Sequence, residues 1–414
     1  MHIYYSHNIG GIMKRIYDFL LEEHLLKYEQ MAFLAGPRQV GKTTIARNAV
    51  HESKYYRYLN WDNIDNRKIL LSGNKSIIDG LPINTIVGIK PFIILDEIHK
   101  YKNWKTLLKG FVDEYKATSH IIVTGSAKLD VYRKGGDSLM GRYFLYRICP
   151  LSVAEITGVV NTKEPISLPT KINNELLENL MEFGGFPESF IKQDKKFHNR
   201  WQNMRFQQLI KEDIMDLAKI QELSQLEVLA DLLKYQTGQL VSYTNLANKV
   251  RVTDTTIRRW ISTLESFYYC FSLKPWSNNV ARSLLKEPKI YLMDWSIIED
   301  RGARLENFVA CHLYKAVNFW NDAGFGKYDL FFLRDKEKRE VDFLVTSNNK
   351  PWIMIEVKNS DNHSLNKNLI HFQKQINAKY ALQLSANLPF IEQDFRELNS
   401  PKIFPMSSFL SQLV

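Results

Sequence analysis

The chain has 414 residues, enough for two or three domains, and its content of 45% hydrophobic and 24% charged residues is typical of a globular protein in water. Its net charge of +10 is compatible with a polyanionic partner. The three distant cysteines exclude a disulfide framework and a zinc motif, and we find neither an apolar run of membrane-spanning length nor an N-terminal signal pattern. We therefore expect a cytoplasmic protein without a membrane partner.

The first predicted elements are a strand, a loop and a helix. The apolar run 31–35 predicts a buried strand, and residues 44–50 predict the start of a helix. The sequence GPRQVGKT between them fits the phosphate-binding pattern G-x-x-x-x-G-K-[ST]. Its glycines let successive N–H groups point into one concavity, and the helix dipole favours phosphate there. The residues predicted to bind the nucleotide are Gly36, Pro37, Arg38, Gln39, Val40, Gly41, Lys42, Thr43 and Thr44.

The loop and the next predicted strand together indicate ATP hydrolysis with Mg²⁺. We expect Lys42 to reach the β- and γ-phosphates and the hydroxyl of Thr43 to bind Mg²⁺. The apolar run 92–95 predicts a strand buried on both faces, and it ends in Asp96 and Glu97. Asp96 would hold Mg²⁺ through its water shell, while Glu97 would orient or polarise the attacking water.

Two further features of this region have both a functional and a purely structural interpretation. The predicted strand 121–123 is followed by Thr124 and Ser126, where a hydroxyl either senses the γ-phosphate or caps the strand. Ser126 is the predicted sensor. Farther along, Arg142 and Arg147 are candidate arginine fingers, acting in cis or from a neighbouring subunit. We predict that Arg142 is the arginine finger, and the alternative is that it is an ordinary arginine exposed to solvent.

Five blocks of sequence resemble a known family. In chain order they are GPRQVGKTT, ILDEIHKYKNW, VTGSA, GRYFLYRICPLSVAE and GGFPES. They resemble the signature blocks of the AAA-14 ATPases, AAA+-like bacterial and archaeal proteins that usually carry a C-terminal DUF4143 region. The resemblance covers nearly the whole chain and implies an AAA+-type αβα core, without implying a defined biological role.

The middle of the chain predicts a helical lid and then a winged helix-turn-helix. Residues 155–223 have helical periodicity, broken at the Gly and Pro residues of EFGGFPESF. Residues 224–280 predict a short helix, a tight turn, a second helix and a strand, which is the winged-helix layout. The alternative to DNA binding is a module for packing or oligomerisation. The candidate DNA contacts are Arg251, Thr255, Arg258 and Arg259.

The last part of the chain, residues 281–414, resembles the PD-(D/E)xK nuclease superfamily. Strand alternation puts Glu356 and Lys358 on one face, and Asp342 lies on the preceding strand of a predicted hairpin. Glu306 lies on an upstream helix, and Val341 stands where the name-giving proline is expected. The resemblance implies that Glu306, Asp342 and Glu356 bind a second Mg²⁺ or Mn²⁺ and that Lys358 positions a water. The alternative is an inactive fold used for binding or assembly.

The sequence thus predicts an α/β protein with four parts. They are an AAA+-like P-loop core at residues 1–154, a helical lid at 155–223, a winged helix-turn-helix at 224–280 and a restriction-endonuclease-like domain at 281–414. We expect a Mg²⁺-dependent ATPase that acts on double-stranded DNA or another nucleic acid and that self-associates. The alternative is a nucleotide-controlled regulatory or assembly switch with an inactive nuclease-like scaffold.

Overall fold

The computed structural model describes residues 14–83, 89–126, 139–158, 163–215, 220, 222–277, 287–359, 364–399 and 401–414. These residues form two compact units. The first unit contains the described residues up to 34 together with 41–125 and 139–146, and the second contains 35–40, 126 and the described residues from 147 onwards.

A five-stranded sheet forms the centre of the first unit. Its strands are β1 (Met31–Ala35), β2 (Tyr56–Asn60), β3 (Phe92–Asp96), β4 (His120–Gly125) and β5 (Tyr143–Arg147), in the order β2-β3-β4-β1-β5. The strands β2, β3 and β4 run parallel. Because β1 and most of β3 are buried on both faces, these strands are continuous apolar runs, as the sequence predicts. The carboxyl ends of β2, β3 and β4 therefore meet at one edge of the sheet.

Helices pack around this sheet, among them α3 (Ile64–Leu71) and α5 (Trp104–Tyr115). The helix α5 buries one face, which carries Trp104, Leu108 and Phe111 at helical spacing. Asn63 caps α3 by accepting hydrogen bonds from two backbone N–H groups. The helices of this unit are α1 (Ile16–Lys27), α2 (Lys42–Asn48), α3 (Ile64–Leu71), α4 (Asn74–Ile78) and α5 (Trp104–Tyr115).

The first part of the second unit is helical, in agreement with the predicted periodicity. The predicted helix-turn-helix is also present: Arg251 takes a left-handed φ of 62° at the turn, and Thr253 caps the second helix. A π-helical turn, Leu209–Ile214, follows α9. The helices here are α6 (Val153–Ile156), α7 (Asn174–Phe183), α8 (Pro187–Lys192), α9 (Lys195–Gln208), α10 (Leu223–Tyr235), α11 (Tyr243–Val250) and α12 (Asp254–Ser266).

A seven-stranded mixed sheet completes the second unit, in the order β12-β11-β10-β9-β8-β6-β7. The predicted hairpin is formed by β9 and β10, and Asn348 and Asn349 provide the positive φ angles of its turn. The strands are β6 (Cys270–Pro275), β7 (Lys289–Leu292), β8 (Tyr328–Arg334), β9 (Glu340–Ser347), β10 (Lys350–Lys358), β11 (Tyr380–Ser385) and β12 (Lys402–Pro405), and the helices are α13 (Arg301–Asp322), α14 (Lys367–Ile376) and α15 (Met406–Leu410).

The strands that follow the helix-turn-helix belong to this C-terminal sheet. β6 pairs antiparallel with β7 and parallel with β8. The predicted boundary between residues 280 and 281 therefore falls between two paired strands of one sheet. The assignment of a separate winged-helix domain stays a prediction, and so does that of a nuclease-like domain.

Two ion pairs connect the end of β5 and the helix α6 to helix α13 within the second unit. Arg147 lies 2.5 Å from Asp322 at the end of the helix, and Lys315 pairs with Glu155 where both side chains are almost fully buried. Removing one partner of the buried Lys315–Glu155 pair would destabilise the unit, because the other charge would stay buried without compensation.

Candidate nucleotide site and acidic cluster

A buried carboxylate, Asp96, lies at the end of β3 and collects three hydroxyl groups. The Thr43 hydroxyl lies 3.1 Å from each of its oxygens, and the Tyr58 hydroxyl donates a hydrogen bond of 2.5 Å. The Thr124 hydroxyl donates to Oδ1. Burial, aided by the bond to Asp96, raises the pKa of Tyr58 to about 12, so Tyr58 remains a donor at neutral pH. The predicted pair Thr43 and Asp96 is therefore brought together, and its oxygens are of the kind that Mg²⁺ prefers.

The next residue, Glu97, combines a strained backbone with an oxygen that has no donor. Its φ is +55°, which is unusual for a residue other than glycine and costs about 1–3 kcal/mol. Its N–H donates to Thr124 at 3.2 Å. Its buried Oε2 has no hydrogen-bond partner among the described residues and lies 3.8 Å from His99 Nε2 and from Lys100 Nζ. An oxygen held in this way can accept a hydrogen bond from a water, as the predicted role requires.

The phosphate-binding loop has the backbone that its glycines require. Gly41 has a φ of 99° and precedes α2, whose first residue is the buried Lys42. A Cβ on Gly36 would lie 2.3 Å from the carbonyl oxygen of Ile148, so a larger residue does not fit there. These features fit the predicted phosphate loop at the start of a helix.

Arg38 of this loop forms two ion pairs that the sequence does not suggest. Its guanidinium lies 2.9 Å from Glu212 and 2.6 Å from Asp213, both on the π-helical turn. A π-helical turn is rare and often marks a functional site. Ser126 lines a small cavity of about 50 Å³ that Arg38 and Asp213 also line. The hydroxyl that contacts Asp96 is that of Thr124, and the sensor role of Ser126 stays a prediction.

Arg142 is paired within the chain. Its Nε and Nη2 atoms lie 2.7 and 2.9 Å from the two carboxylate oxygens of Asp113, on the exposed side of α5. This two-point contact holds the guanidinium beside α5. The arginine-finger role of Arg142 and the self-association that would use it stay predictions.

In the second unit, the hairpin of β9 and β10 brings together three of the predicted nuclease residues, Asp342, Glu356 and Lys358. Lys358 Nζ lies 2.6 Å from Glu356 Oε1, and the side chain of Asn366 donates to the same oxygen at 2.5 Å. The backbone N–H of Val357 donates to Asp342 at 2.8 Å. The register of the hairpin thus places Asp342 beside the Glu-x-Lys stretch, as the alternation of strand faces predicts.

Glu306 on α13 forms an acidic cluster with Glu340, Asp342 and Glu356, and two residues of β7 contact it. The Tyr291 hydroxyl donates to Glu306 at 2.7 Å, and Lys289 Nζ lies 3.4 Å from Glu306 and 2.6 Å from Glu340. Burial, and then the negative charge of Glu306, raise the pKa of Asp342 to about 7. Lys289 and Tyr291 were not predicted from the sequence, because a four-residue strand carries no signal for the helix that it faces.

The predicted second metal site stays a prediction. Among the residues that the structure describes, no group of three or more His, Cys, Asp or Glu side chains is placed to hold a metal ion. The compensating positive charges near Glu306 and Glu356 come from Lys289 and Lys358. These lysine–carboxylate pairs also fit the alternative of an inactive scaffold.

The raised pKa of Asp342 predicts a pH dependence of stability. Its pKa rises from the ordinary 3.8 to about 7 in the folded protein. The folded state therefore binds this proton more tightly than the unfolded state does, and its contribution to stability is lost as pH rises through about 7. We expect Asp342→Asn to flatten the fall in the free energy of unfolding between about pH 4 and pH 7, measured by denaturant titration.

The matched control for this change is Asp231→Asn, at an exposed position on α10. It should keep the slope of the unmodified protein. An unchanged slope in Asp342→Asn would mean that Asp342 is already ionised near pH 5, against the assignment.

The predicted DNA contacts lie on the surface of the helix-turn-helix. Arg251, Thr255, Arg258 and Arg259 are all exposed. The guanidinium of Arg258 lies 3.8 Å from the ring centre of Tyr243. The two helices therefore present cations to solvent, while Ile257, Trp260, Ile261 and Leu264 pack inward.

Three family models match the chain in succession. Residues 28–157 match an AAA domain, AAA_14. Residues 174–301 match a domain of unknown function, DUF8612, and residues 301–403 match another, DUF4143. The predicted combination of an AAA-14 domain and a C-terminal DUF4143 region is confirmed, and the chain is of the AAA-like P-loop type.

Relatives of the whole chain occur in distant organisms. An uncharacterized protein of Mycobacterium tuberculosis is 22% identical over 387 residues, which cover 88% of this chain and 80% of the relative. One of Methanocaldococcus jannaschii is 24% identical over 336 residues, covering 77% and 73%. Among solved structures, the Walker-type ATPase PABY2304 of Pyrococcus abyssi is 13% identical, with a TM-score of 0.45, covering 70% of this chain and 95% of that one. None of the helices described here is long and apolar enough to span a membrane.

Proposed function

From the premise that the chain carries an AAA_14 domain followed by a DUF4143 domain, we propose that it is a Mg²⁺-dependent ATPase. The observation that carries this proposal is the contact of Thr43 with the buried Asp96, because P-loop ATPases hold Mg²⁺ between these two kinds of residue. Lys42 binds the β- and γ-phosphates, and Glu97 orients the attacking water. When bound, Mg²⁺ neutralises the charge that develops on the phosphates.

The test is phosphate release by the purified chain with ATP and Mg²⁺. We expect turnover with Mg²⁺ and none with excess chelator, together with a shift in thermal unfolding when a non-hydrolysable ATP analogue and Mg²⁺ are added. Absence of both phosphate release and the thermal shift would overturn the proposal.

We further propose that hydrolysis is coupled to work on double-stranded DNA. The support is the exposure of Arg251, Arg258 and Arg259 on a helix-turn-helix, in a chain with a net charge of +10. A recognition helix enters the major groove, and arginines there bind phosphates and base edges. A nucleotide-controlled switch without a DNA partner is the alternative.

Reversing two charges tests this coupling. Arg258→Glu combined with Arg259→Glu should weaken binding to any duplex and lower the slope of log K against log salt by about 2, because two phosphate contacts are lost. Fluorescence anisotropy across a salt series measures both effects. Lys374→Glu combined with Lys402→Glu makes the same change in net charge at exposed positions outside the helix-turn-helix and should leave the slope unchanged. Equal effects of the two double variants would remove the helix from the interface.

A second candidate activity is metal-dependent cleavage of nucleic acid at the acidic cluster. Two observations favour it: the raised pKa of Asp342 and the buried Oε2 of Glu356, which has no hydrogen-bond partner among the described residues. A divalent cation there would require Lys358 to leave Glu356, since the two are now paired. The cation would polarise the scissile phosphate, and Lys358 would position the attacking water.

Single substitutions in the cluster separate cleavage from scaffolding. If the cluster is catalytic, Glu356→Ala and Lys358→Ala should each reduce cleavage of DNA or RNA with Mg²⁺ or Mn²⁺ by about 100-fold or more, while ATP hydrolysis continues. Glu392→Ala, at an exposed position, is the control. Failure of the unmodified protein to cleave any substrate or to bind metal, with a loss of stability in both variants, would assign the cluster to the inactive scaffold.

A further inference from the structure

We propose that a cleft beside the helix-turn-helix binds an unpaired segment of a DNA strand by stacking its bases on aromatic side chains. The cleft lies between the helices α11 and α12 and the strand β6. Its lining includes Tyr243, Arg258, Phe271, Lys274 and Tyr314. The inference rests on the proposed action on DNA and adds the form of DNA that this part of the second unit recognises.

Aromatic rings form one side of the cleft. The half-buried Tyr314 stacks on the buried Phe271, with ring centres 4.3 Å apart and an angle of 26° between their planes, so Tyr314 is the accessible ring of this pair. Tyr243 lies at the start of α11 and is half-buried. The cavity of about 400 Å³ is within the range of sites that take small organic groups. A nucleobase matches such a site, because it is flat, aromatic on both faces and polar at its edge.

Positive charge dominates the polar part of the cleft. Arg258 and Lys274 are both exposed, whereas Glu265 is the one carboxylate among the lining residues that the structure describes. The guanidinium of Arg258 covers one face of the Tyr243 ring at 3.8 Å, so the cation lies directly beside the aromatic part of the cleft. Proteins that bind single strands combine these two elements: cations follow the phosphates, and aromatic rings stack on the bases.

The geometry favours an unpaired strand over a duplex. In a duplex, each base face is covered by the neighbouring base pair, so a ring in a concave cleft can reach a base only where the strand is unpaired. Arg258 also belongs to the exposed set on the helix-turn-helix. A duplex on that helix would therefore place an unpaired end of one strand at the cleft.

The cleft is also connected to the acidic cluster. Phe271 stacks on Tyr291 at 5.8 Å, and Tyr291 donates its hydroxyl hydrogen to Glu306 at 2.7 Å. β6 and β7 set this connection, since Phe271 and Tyr291 are directly paired across the two strands. Two buried rings therefore link the lining of the cleft to a residue of the acidic cluster.

The test compares two fluorescent hairpin DNAs with the same duplex, one blunt and one with a short oligodeoxythymidine tail. We expect the tailed hairpin to bind more tightly to the full chain. Tyr243→Ala should reduce affinity for the tailed hairpin by about 5- to 100-fold, the effect of losing one stacked base, and leave the blunt hairpin unaffected. Tyr243→Phe keeps the ring and should keep the affinity.

A second variant keeps the inference testable if Tyr243→Ala fails to fold. Lys274→Glu changes an exposed strand residue and should lower the salt slope for the tailed hairpin by about 1. The controls are Tyr235→Ala and Lys402→Glu, both at exposed positions outside the cleft. They should behave like the unmodified protein.

The outcomes separate this inference from the proposed function. Equal affinity for the two hairpins, or equal losses for both in the cleft variants, would overturn the cleft while leaving action on DNA in place. Tighter binding of a matching RNA tail than of the DNA tail would overturn the assignment to DNA. No binding of either hairpin would overturn both proposals.

Discussion

Replacing Lys42 with alanine should weaken ATP binding by about 100-fold or more and abolish hydrolysis at ordinary ATP concentrations. Lys42 is the buried first residue of α2, directly after the left-handed Gly41, and it is the side-chain cation that the loop pattern assigns to the β- and γ-phosphates. Charge-assisted hydrogen bonds to phosphate are among the strongest polar contacts in proteins. Titration calorimetry with a non-hydrolysable ATP analogue and Mg²⁺ measures the loss.

The control is Lys109→Ala, which removes an equal charge from the exposed face of α5 in the same unit. It should bind the analogue as the unmodified chain does. If Lys42→Ala kept full affinity, the loop would not be the phosphate site.

Glu97→Gln should have the second large effect, by keeping ATP bound while slowing hydrolysis by about 100- to 10,000-fold. Glutamine has the shape of glutamate but cannot take a proton from water. The contact of the Glu97 N–H with Thr124 is a backbone contact and survives the change. Rapid-quench measurement of a single turnover separates chemistry from product release.

Two results would bear on this prediction. Glu52→Gln, at an exposed position in the same unit, should hydrolyse ATP at the normal rate. Fast turnover by Glu97→Gln would show that the group activating the water lies elsewhere.

Parts of both sites could be predicted because their signals are local. The phosphate loop needs glycine where φ is positive and a lysine at the start of the helix, and both requirements fall within eight residues. The strand β3 is an unbroken apolar run with Asp96 at its end, since both of its faces are buried. The hairpin of β9 and β10 follows from alternation and a turn of two asparagines.

Other partners could not be predicted, because distant segments supply them. Tyr58 reaches Asp96 from the neighbouring strand β2, and Arg38 meets Asp213 175 positions later in the chain. The sequence around Arg142 made it a candidate arginine finger, and the structure pairs it with Asp113 of α5. The order of the strands and the packing of the helices decide such contacts, and residue spacing in the sequence does not encode these contacts.

The sequence by itself determined the chemistry that needs a fixed local backbone, namely the phosphate loop, the acidic end of β3, the helix-turn-helix and the Glu-x-Lys strand. Only the tertiary structure decided what compensates each charge. Lys358 and Lys289 pair with carboxylates of the acidic cluster, and the hydroxyls of Tyr58 and Thr124 hold Asp96. The reason is that a buried charge must be compensated by whatever side chain the packing of distant elements brings within a few ångströms, and sequence periodicity specifies only which face of its own element a residue occupies.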